Sequence, residues 1–161
     1  MKKLISLLGL AVVFTACQKE MPGDPYATMD HHTGCKETSL KGGEGQGSSD
    51  DCIEYSWDSN LLTIKHKNAA FNCCPGRLTV SAGLKGDTLL LREHEEEALC
   101  DCDCLYDLEY TVYHIPSTVK VISIEEPYLR GEGIPLVFTV NLKRHPEGEF
   151  CLVRSKYPWG S

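Results

Sequence analysis

The stretch that decides the fold is residues 106–112, which read YDLEYTV. Apolar or aromatic side chains occupy every second position, and Asp, Glu and Thr stand between them. The same alternation recurs in three further segments, at residues 62–67, 78–84 and 136–142. A period of two is typical of a β-strand with one buried face and one face toward water. These segments therefore predict four amphipathic strands.

Turn-forming residues separate these segments and indicate short connections. They are Pro75-Gly76, Lys85-Gly86-Asp87, Ile115-Pro116-Ser117, Gly131-Glu132-Gly133 and Pro146-Glu147-Gly148. No stretch of ten or more residues after position 17 has the period of an amphipathic helix. Roughly seven to nine strands at this spacing predict an antiparallel, immunoglobulin-like β-sandwich, with a small β-barrel as the alternative. The turn at Pro116 also predicts a hairpin over residues 106–124.

The composition fits one domain and excludes a nucleic-acid-binding role. The chain has 161 residues, which is enough for a single domain of ordinary size. Its formal net charge is −7, and residues 1–16 contribute two lysines and no acid, so the remainder carries −9. A chain this acidic, without a basic patch, repels nucleic acid. Nine cysteines indicate an oxidising compartment rather than the cytosol.

The N-terminus has the organisation of an export signal. Lys2 and Lys3 precede an uncharged run, residues 4–16, that is too short to span about 30 Å of hydrocarbon. The run leads into FTAC, which ends at Cys17 and resembles the lipobox of bacterial lipoproteins, with Phe14 where that motif usually has leucine. The resemblance implies cleavage before Cys17, a thioether-linked diacylglycerol and an N-terminal acyl chain such as palmitate. We expect an anchor in the outer membrane, on its periplasmic face or at the cell surface.

Three regions follow from this organisation. Residues 1–16 are predicted to be the lipoprotein signal peptide, residues 17–50 the lipidated N-terminus with a flexible tether, and residues 51–161 a cysteine-rich β-sandwich domain. The tether is predicted from its Gly, Ser, Thr and charge content and from its lack of apolar periodicity. His31 and His32 are interpreted as solvated tether residues rather than metal ligands.

Besides Cys17 the chain has an even number of cysteines, which in an exported protein favours disulfide bonds. They are Cys35, Cys52, Cys73, Cys74, Cys100, Cys102, Cys104 and Cys151. If the strand at residues 106–112 extends back through the CDCDC of residues 100–104, the three sulfurs face the core. We expect Cys73 and Cys74 to pair with two of these three and Cys151 to pair with the third, although many connectivities stay open.

A thiolate metal site is an alternative use of the clustered cysteines. Zinc or copper(I) could be held by Cys73, Cys74, Cys100, Cys102 and Cys104. Cysteines four residues apart on a regular strand lie about 13 Å from each other, so a single ion would need a bulge. Redox-active thiols are a third interpretation, although the chain has no Cys-x-x-Cys motif. Structural disulfides without a cofactor are the main prediction.

Three motifs extend across the predicted domain. They are FNCCP at residues 71–75, CxCxCLYDLxY at residues 100–110 and YPWG at residues 157–160. Together they resemble a family of cysteine-rich envelope lipoproteins of Bacteroidetes over residues 52–160. The resemblance implies a location in the cell envelope and no particular activity.

Other candidate residues carry less specific signals. His66 lies on the apolar face of its predicted strand and is interpreted as a hydrogen-bonded core histidine rather than a ligand beside Cys73. Residues 93–109 contain eight acids and are predicted to form a solvated acidic loop rather than a calcium site. Thr88 lies in a DTL motif that resembles the O-glycosylation site of Bacteroidetes envelope proteins.

The sequence contains no catalytic motif of the G-x-S-x-G, H-E-x-x-H or P-loop type. We therefore predict a non-enzymatic binding or structural module, held at the membrane by its N-terminal lipid. Its further partner is expected to be a protein, peptide or glycan. A metal-binding envelope protein that uses the clustered thiols is the alternative function.

Overall fold

The structure is a computed structural model that describes residues 23–36, 49–129 and 133–154. The predicted signal peptide, Cys17, residues 37–48 of the tether and the YPWG motif lie outside these ranges. Within them the chain forms nine β-strands and no helix. The strands are β1 (Tyr26–His32), β2 (Ser49–Asp58), β3 (Leu61–Asn72), β4 (Leu78–Lys85), β5 (Thr88–Glu95), β6 (Asp103–Tyr113), β7 (Val121–Glu125), β8 (Leu136–Thr139) and β9 (Glu147–Arg154).

The strands form two sheets. Sheet A has five strands in the order β1-β6-β3-β2-β9, and sheet B has four in the order β4-β5-β7-β8. Neighbouring strands pair antiparallel, except for β5 and β7, which run parallel. The predicted all-β sandwich is confirmed, but sheet B is mixed rather than antiparallel throughout as predicted. Each sheet keeps two edge strands, so the described residues form a sandwich and not the alternative barrel.

The alternating segments place their apolar side chains in the core between the sheets, as predicted. Leu62 and Ile64 of β3, Tyr110 of β6 and Leu136 of β8 are completely buried. Burying an aliphatic side chain of this size stabilises a fold by about 1.5–3 kcal/mol. Leu84, the last apolar residue of the predicted stripe at 78–84, is exposed near the end of edge strand β4.

A bulge in β3 changes which of its side chains enter the core. The pairing of β3 with β6 shifts register between His66 and Ala69. Asn68, within the bulge, has a φ of 66°, a left-handed conformation that asparagine tolerates better than most residues. Its side-chain amide donates a hydrogen bond to the carbonyl of Asp50 over 2.6 Å. His66 is therefore the last inward residue before the bulge, and Ala69 and Phe71 are the side chains of β3 that pack in the core after it.

The predicted hairpin over residues 106–124 is wrong. β6 belongs to sheet A and β7 belongs to sheet B, so the turn at Pro116 crosses from one sheet to the other. Ile115 and Val119, which flank this crossing, are buried in the common core. The crossing therefore closes one end of the sandwich rather than joining two paired strands.

The predicted tether of residues 17–50 does not hold for its described middle part. β1 pairs antiparallel with β6, from the contact of Tyr26 with Tyr113 onward, and forms an edge of sheet A. The inward residues of β1, Ala27 and Met29, are only partly buried. Because β1 buries so little apolar surface, its sequence lacks a clear apolar periodicity and therefore predicts a flexible tether.

Candidate functional site

Disulfide bonds join all eight cysteines of the described residues. The bridges are Cys35–Cys104, Cys52–Cys151, Cys73–Cys102 and Cys74–Cys100, with Cα–Cα distances between 4.1 and 5.6 Å. The prediction that both cysteines of the FNCCP motif pair with the CDCDC segment is confirmed. The predicted partner of Cys151 is wrong, because Cys151 lies opposite Cys52 in the β2–β9 ladder. Cys104 instead pairs with Cys35, which lies N-terminal to the predicted domain of residues 51–161.

The CDCDC sulfurs do not share one inward face, contrary to the prediction. β6 begins at Asp103, so only Cys104 lies within the strand, where it is buried. Cys100 and Cys102 lie in the preceding loop, where Cys100 is partly buried and Cys102 is exposed. The alternative zinc or copper(I) site of these three with Cys73 and Cys74 is also contradicted, because a sulfur in a disulfide is not a thiolate ligand.

Charged and polar side chains also meet inside the sandwich, in what we call the buried polar cluster. Its members are Asp51 of β2, His66 of β3, Tyr110 of β6 and Arg154 of β9 in sheet A, with Glu93 of β5 and Glu126, next to β7, in sheet B. Each is at most 8% exposed. Since burying an unpaired charge is costly, these groups must satisfy one another.

His66 lies at the centre of the cluster, between two carboxylates. Its Nδ1 is 2.8 Å from Oε1 and 2.9 Å from Oε2 of Glu93, and its Nε2 is 2.7 Å from Oδ1 of Asp51. The hydroxyl of Tyr110 donates a further hydrogen bond to Oε1 of Glu93 over 3.0 Å. The prediction of a hydrogen-bonded core histidine is confirmed, and its partners are carboxylates rather than a neighbouring cysteine.

Arg154 links Asp51 to the third carboxylate of the cluster, Glu126, through one oxygen of each. Its Nε donates to Oδ2 of Asp51 over 2.7 Å, and its Nη2 lies 2.8 Å from Oε2 of Glu126. Its Nη1 donates to the carbonyl of Ile134. The other oxygen of Glu126, Oε1, is buried and has no hydrogen-bond partner in the described part of the chain.

Burial and mutual charge set the protonation of the cluster. Burial disfavours the imidazolium of His66, but the charge of Glu93 and the hydrogen bonds to Asp51 and Glu93 outweigh it and raise its pKa well above the usual value. Burial raises the pKa of Glu126 to about 7, against the lowering effect of His66 and Arg154. Burial and then Glu93 raise the pKa of the Tyr110 hydroxyl. The cluster can therefore hold protons or a cation, but it is closed to a substrate from solvent.

The acidic segment at residues 93–109 is not one solvated loop. Glu93 is 2% exposed within the cluster. The carboxylate of Glu95 accepts hydrogen bonds from the backbone N–H of Asn72 over 2.8 Å and from the hydroxyl of Tyr128 over 2.9 Å. Thr88, the candidate glycosylation residue, is half-buried at the start of β5, opposite Lys85.

Four members of the cluster were missed by reasoning from the sequence, although a signal was present. Three of them occupy inward positions of alternating strands and Glu126 directly follows β7, and each lies two residues from a side chain in the core or packed against it. The pairs are Asp51 with Ile53, Glu93 with Leu91, Glu126 with Ile124 and Arg154 with Leu152. A charge in phase with an apolar stripe, repeated on four strands, indicates a shared polar interior.

A separate groove of about 490 Å³ lies where the sandwich is open, between edge strands β8 and β9. Its lining includes the apolar side chains of Tyr55, Val137, Phe138 and Phe150. The rings of Phe138 and Phe150 stack with centroids 4.9 Å apart. Val137 is 45% exposed, so the groove presents apolar surface to solvent.

The fold and the bridges define a disulfide-stabilised, all-β module. No protein-family model, curated protein or solved structure matches this chain. Among the described residues, no helix of the length and hydrophobicity needed to cross a membrane is found.

Proposed function

We propose that this chain is a lipid-anchored protein of the bacterial outer membrane that acts as a non-enzymatic binding module. The observation that carries the proposal is the pairing of every described cysteine in a disulfide bond. Structural disulfides persist in oxidising compartments such as the periplasm and the cell surface. The anchor is Cys17, at the end of the lipobox-like FTAC sequence, where two or more acyl chains give stable attachment.

The groove between β8 and β9 supports the binding role. It places the rings of Phe138 and Phe150 beside two strand edges that no other described strand covers. Unpaired main-chain N–H and C=O groups at a sheet edge can pair with an extended peptide, while apolar pockets select its side chains. A glycan lacks the alternating amides that continue a β-ladder. The partner we propose is therefore a protein segment or peptide.

Metabolic labelling with palmitate tests the anchor. The full chain should incorporate the label and Cys17→Ala should not, whereas Cys74→Ala combined with Cys100→Ala, the matched control, should stay labelled. Labelling of Cys17→Ala would overturn the lipid anchor. Alkylation of the full chain under denaturing conditions without reduction should modify none of the remaining eight cysteines. Modification of four or more would overturn assignment to an oxidising compartment.

Photo-cross-linking in intact cells tests the partner. A photoreactive residue in place of Val137, in the groove, should give a discrete adduct that protease removes. The same residue in place of Thr28, exposed on β1 at the opposite edge of sheet A, should not. An adduct that resists protease would identify a glycan and contradict the peptide assignment. Identical adducts from both positions, or none from Val137, would contradict binding at the groove.

A further inference from the structure

We propose that the buried polar cluster binds one divalent transition-metal ion, represented by Zn²⁺, through Asp51, His66 and Glu126. Each of these residues offers one ligand atom, and the three atoms lie within 4.8 Å of one another. Two carboxylate oxygens and an imidazole nitrogen form a donor set that Zn²⁺ accepts. The site lies apart from the groove and does not depend on the binding role proposed above.

The hydrogen bonds of Arg154 use only one oxygen of Asp51 and one of Glu126, so the other oxygen of each carboxylate can face a metal ion. Arg154 donates to Oδ2 of Asp51 and Oε2 of Glu126, and these hydrogen bonds do not use Oδ1 of Asp51 or Oε1 of Glu126. Oδ1 of Asp51 is 2.7 Å from Nε2 of His66, and Oε1 of Glu126 is buried without a partner. A buried carboxylate oxygen without a partner among the described residues, on a glutamate whose carboxylate lies within 4.8 Å of the imidazole, is an independent sign of a missing cation.

The site also has the outer contacts that metal centres use. A metal-bound histidine usually donates its other N–H to a carboxylate, which fixes the tautomer and aims the ring. Glu93 accepts at Nδ1 of His66 and is itself held by the hydroxyl of Tyr110. Nε2 of His66 therefore points at Asp51. Metal–ligand bonds of about 2.0–2.1 Å separate ligand atoms by roughly 3.3 Å. To admit the ion, Oδ1 of Asp51 and Nε2 of His66 would move apart by about 0.6 Å, and the Glu126 oxygen, within 4.8 Å of both, would complete the set.

The charges favour a divalent ion. When all three carboxyl groups are ionised, they face one guanidinium in a region at most 8% exposed, which leaves two negative charges in excess. A proton on His66 cancels one of them, whereas a divalent cation in the place of that proton cancels both. An excess buried charge is costly, so the ion is stabilised by the site and stabilises it in return.

The expected role is structural. Asp51 and His66 belong to sheet A, and Glu126 follows β7 in sheet B, so the ion would join the two sheets. Asp51 and His66 are completely buried and Glu126 is 8% exposed, so a fourth coordination position at the ion would be closed to a substrate from solvent, unlike that of a catalytic zinc site.

Metal analysis of the full chain tests the proposal directly. The chain is exported so that its disulfides form, stripped with a chelator, dialysed against micromolar Zn²⁺ and analysed for metal content and thermal unfolding. We expect one Zn²⁺ per chain and an unfolding midpoint that rises with Zn²⁺ concentration. A wild-type chain that retains no Zn²⁺ and shows no shift overturns the proposal.

Two neighbouring glutamates provide a matched comparison. Glu126→Gln removes the ligand, and we expect the Zn²⁺ affinity to fall at least about 100-fold. Glu125→Gln alters the exposed neighbour, which pairs with Arg92, and should bind Zn²⁺ like the wild type. Glu93→Gln keeps all three ligands and should lower the affinity by about 10–100-fold. Wild-type affinity in Glu126→Gln, or equal losses in Glu125→Gln and Glu126→Gln, overturns the assignment.

Discussion

Removing the Cys52–Cys151 bridge should destabilise the protein far more than removing the Cys74–Cys100 bridge. Both bridges have similar chemistry, but they differ in how the rest of the chain is cross-linked. Cys73–Cys102 already joins the two segments that Cys74–Cys100 joins, one and two residues away. No other bridge among the described residues reaches β9, so Cys52–Cys151 alone restrains that end of the chain.

The magnitude follows from the loops in the unfolded state. With Cys52–Cys151 open, the shortest path between its ends crosses Cys35–Cys104 and covers about 65 residues, a loop worth about 4 kcal/mol of closure entropy at 25 °C. With Cys74–Cys100 open, the Cys73–Cys102 bridge keeps its ends together, so the loop is only a few residues long and we expect a loss of roughly 2 kcal/mol or less.

Guanidinium unfolding of the full chain under non-reducing conditions measures both effects. Each pair is replaced by alanine, since serine at Cys52, which is 7% exposed, would bury a hydroxyl. Alkylation of the unfolded variants confirms that the other three bridges have formed. The Cys52/Cys151 variant should also show a larger m-value, because its unfolded state expands further. Equal losses in the two variants would refute the argument that the bridges act by restricting the unfolded chain.

Two further predictions concern buried ionisable groups. Arg154→Met should lower the free energy of unfolding by about 3–5 kcal/mol, because it leaves the carboxylates of Asp51 and Glu126 buried without their cation. The control Arg144→Met, on the surface, should change it by no more than about 0.5 kcal/mol. A small loss in Arg154→Met would contradict the ion-pair network. Burial raises the pKa of Tyr128 to about 12, so its stabilisation is complete below about pH 10 and is lost as the pH rises toward 12. Tyr128→Phe should therefore lose less stability than the wild type over that interval in chemical denaturation, and an equal loss would exclude Tyr128 as the titrating group.

The strands could be predicted because alternation is a local property. The stripes through Leu62, Tyr110 and Leu136 are buried as the sequence implies. The sheet to which each strand belongs could not be predicted in the same way. β6 and β7 carry similar inward stripes, yet they lie in different sheets, and β7 pairs in parallel with β5 instead. An alternating pattern identifies the buried face of a strand but does not identify the neighbouring strand with which it pairs.

The disulfide pairs, too, could be predicted from the sequence only in part. The FNCCP and CDCDC motifs could be matched because β3 and β6 are neighbours and both motifs lie at the same end of that ladder. The Cys35–Cys104 pair could not be found, because it depends on residues 23–36 packing against the domain. β1 buries little apolar surface, so its edge position becomes evident only once its pairing with β6 is known.

The buried polar cluster is the feature that stability alone explains least. Replacing a buried ion pair by apolar side chains of similar volume is often neutral or stabilising, so such a cluster is weak evidence for a role in stability. One aspartate would suffice to pair Arg154, and His66 needs no carboxylate if it is neutral. This core instead holds three carboxylates, directs two of them at one imidazole and leaves Oε1 of Glu126 without a hydrogen-bond partner among the described residues. That excess of oriented negative charge is the arrangement expected of a cation site, and Zn²⁺ binding that depends on Glu126 but not on Glu125 would account for it.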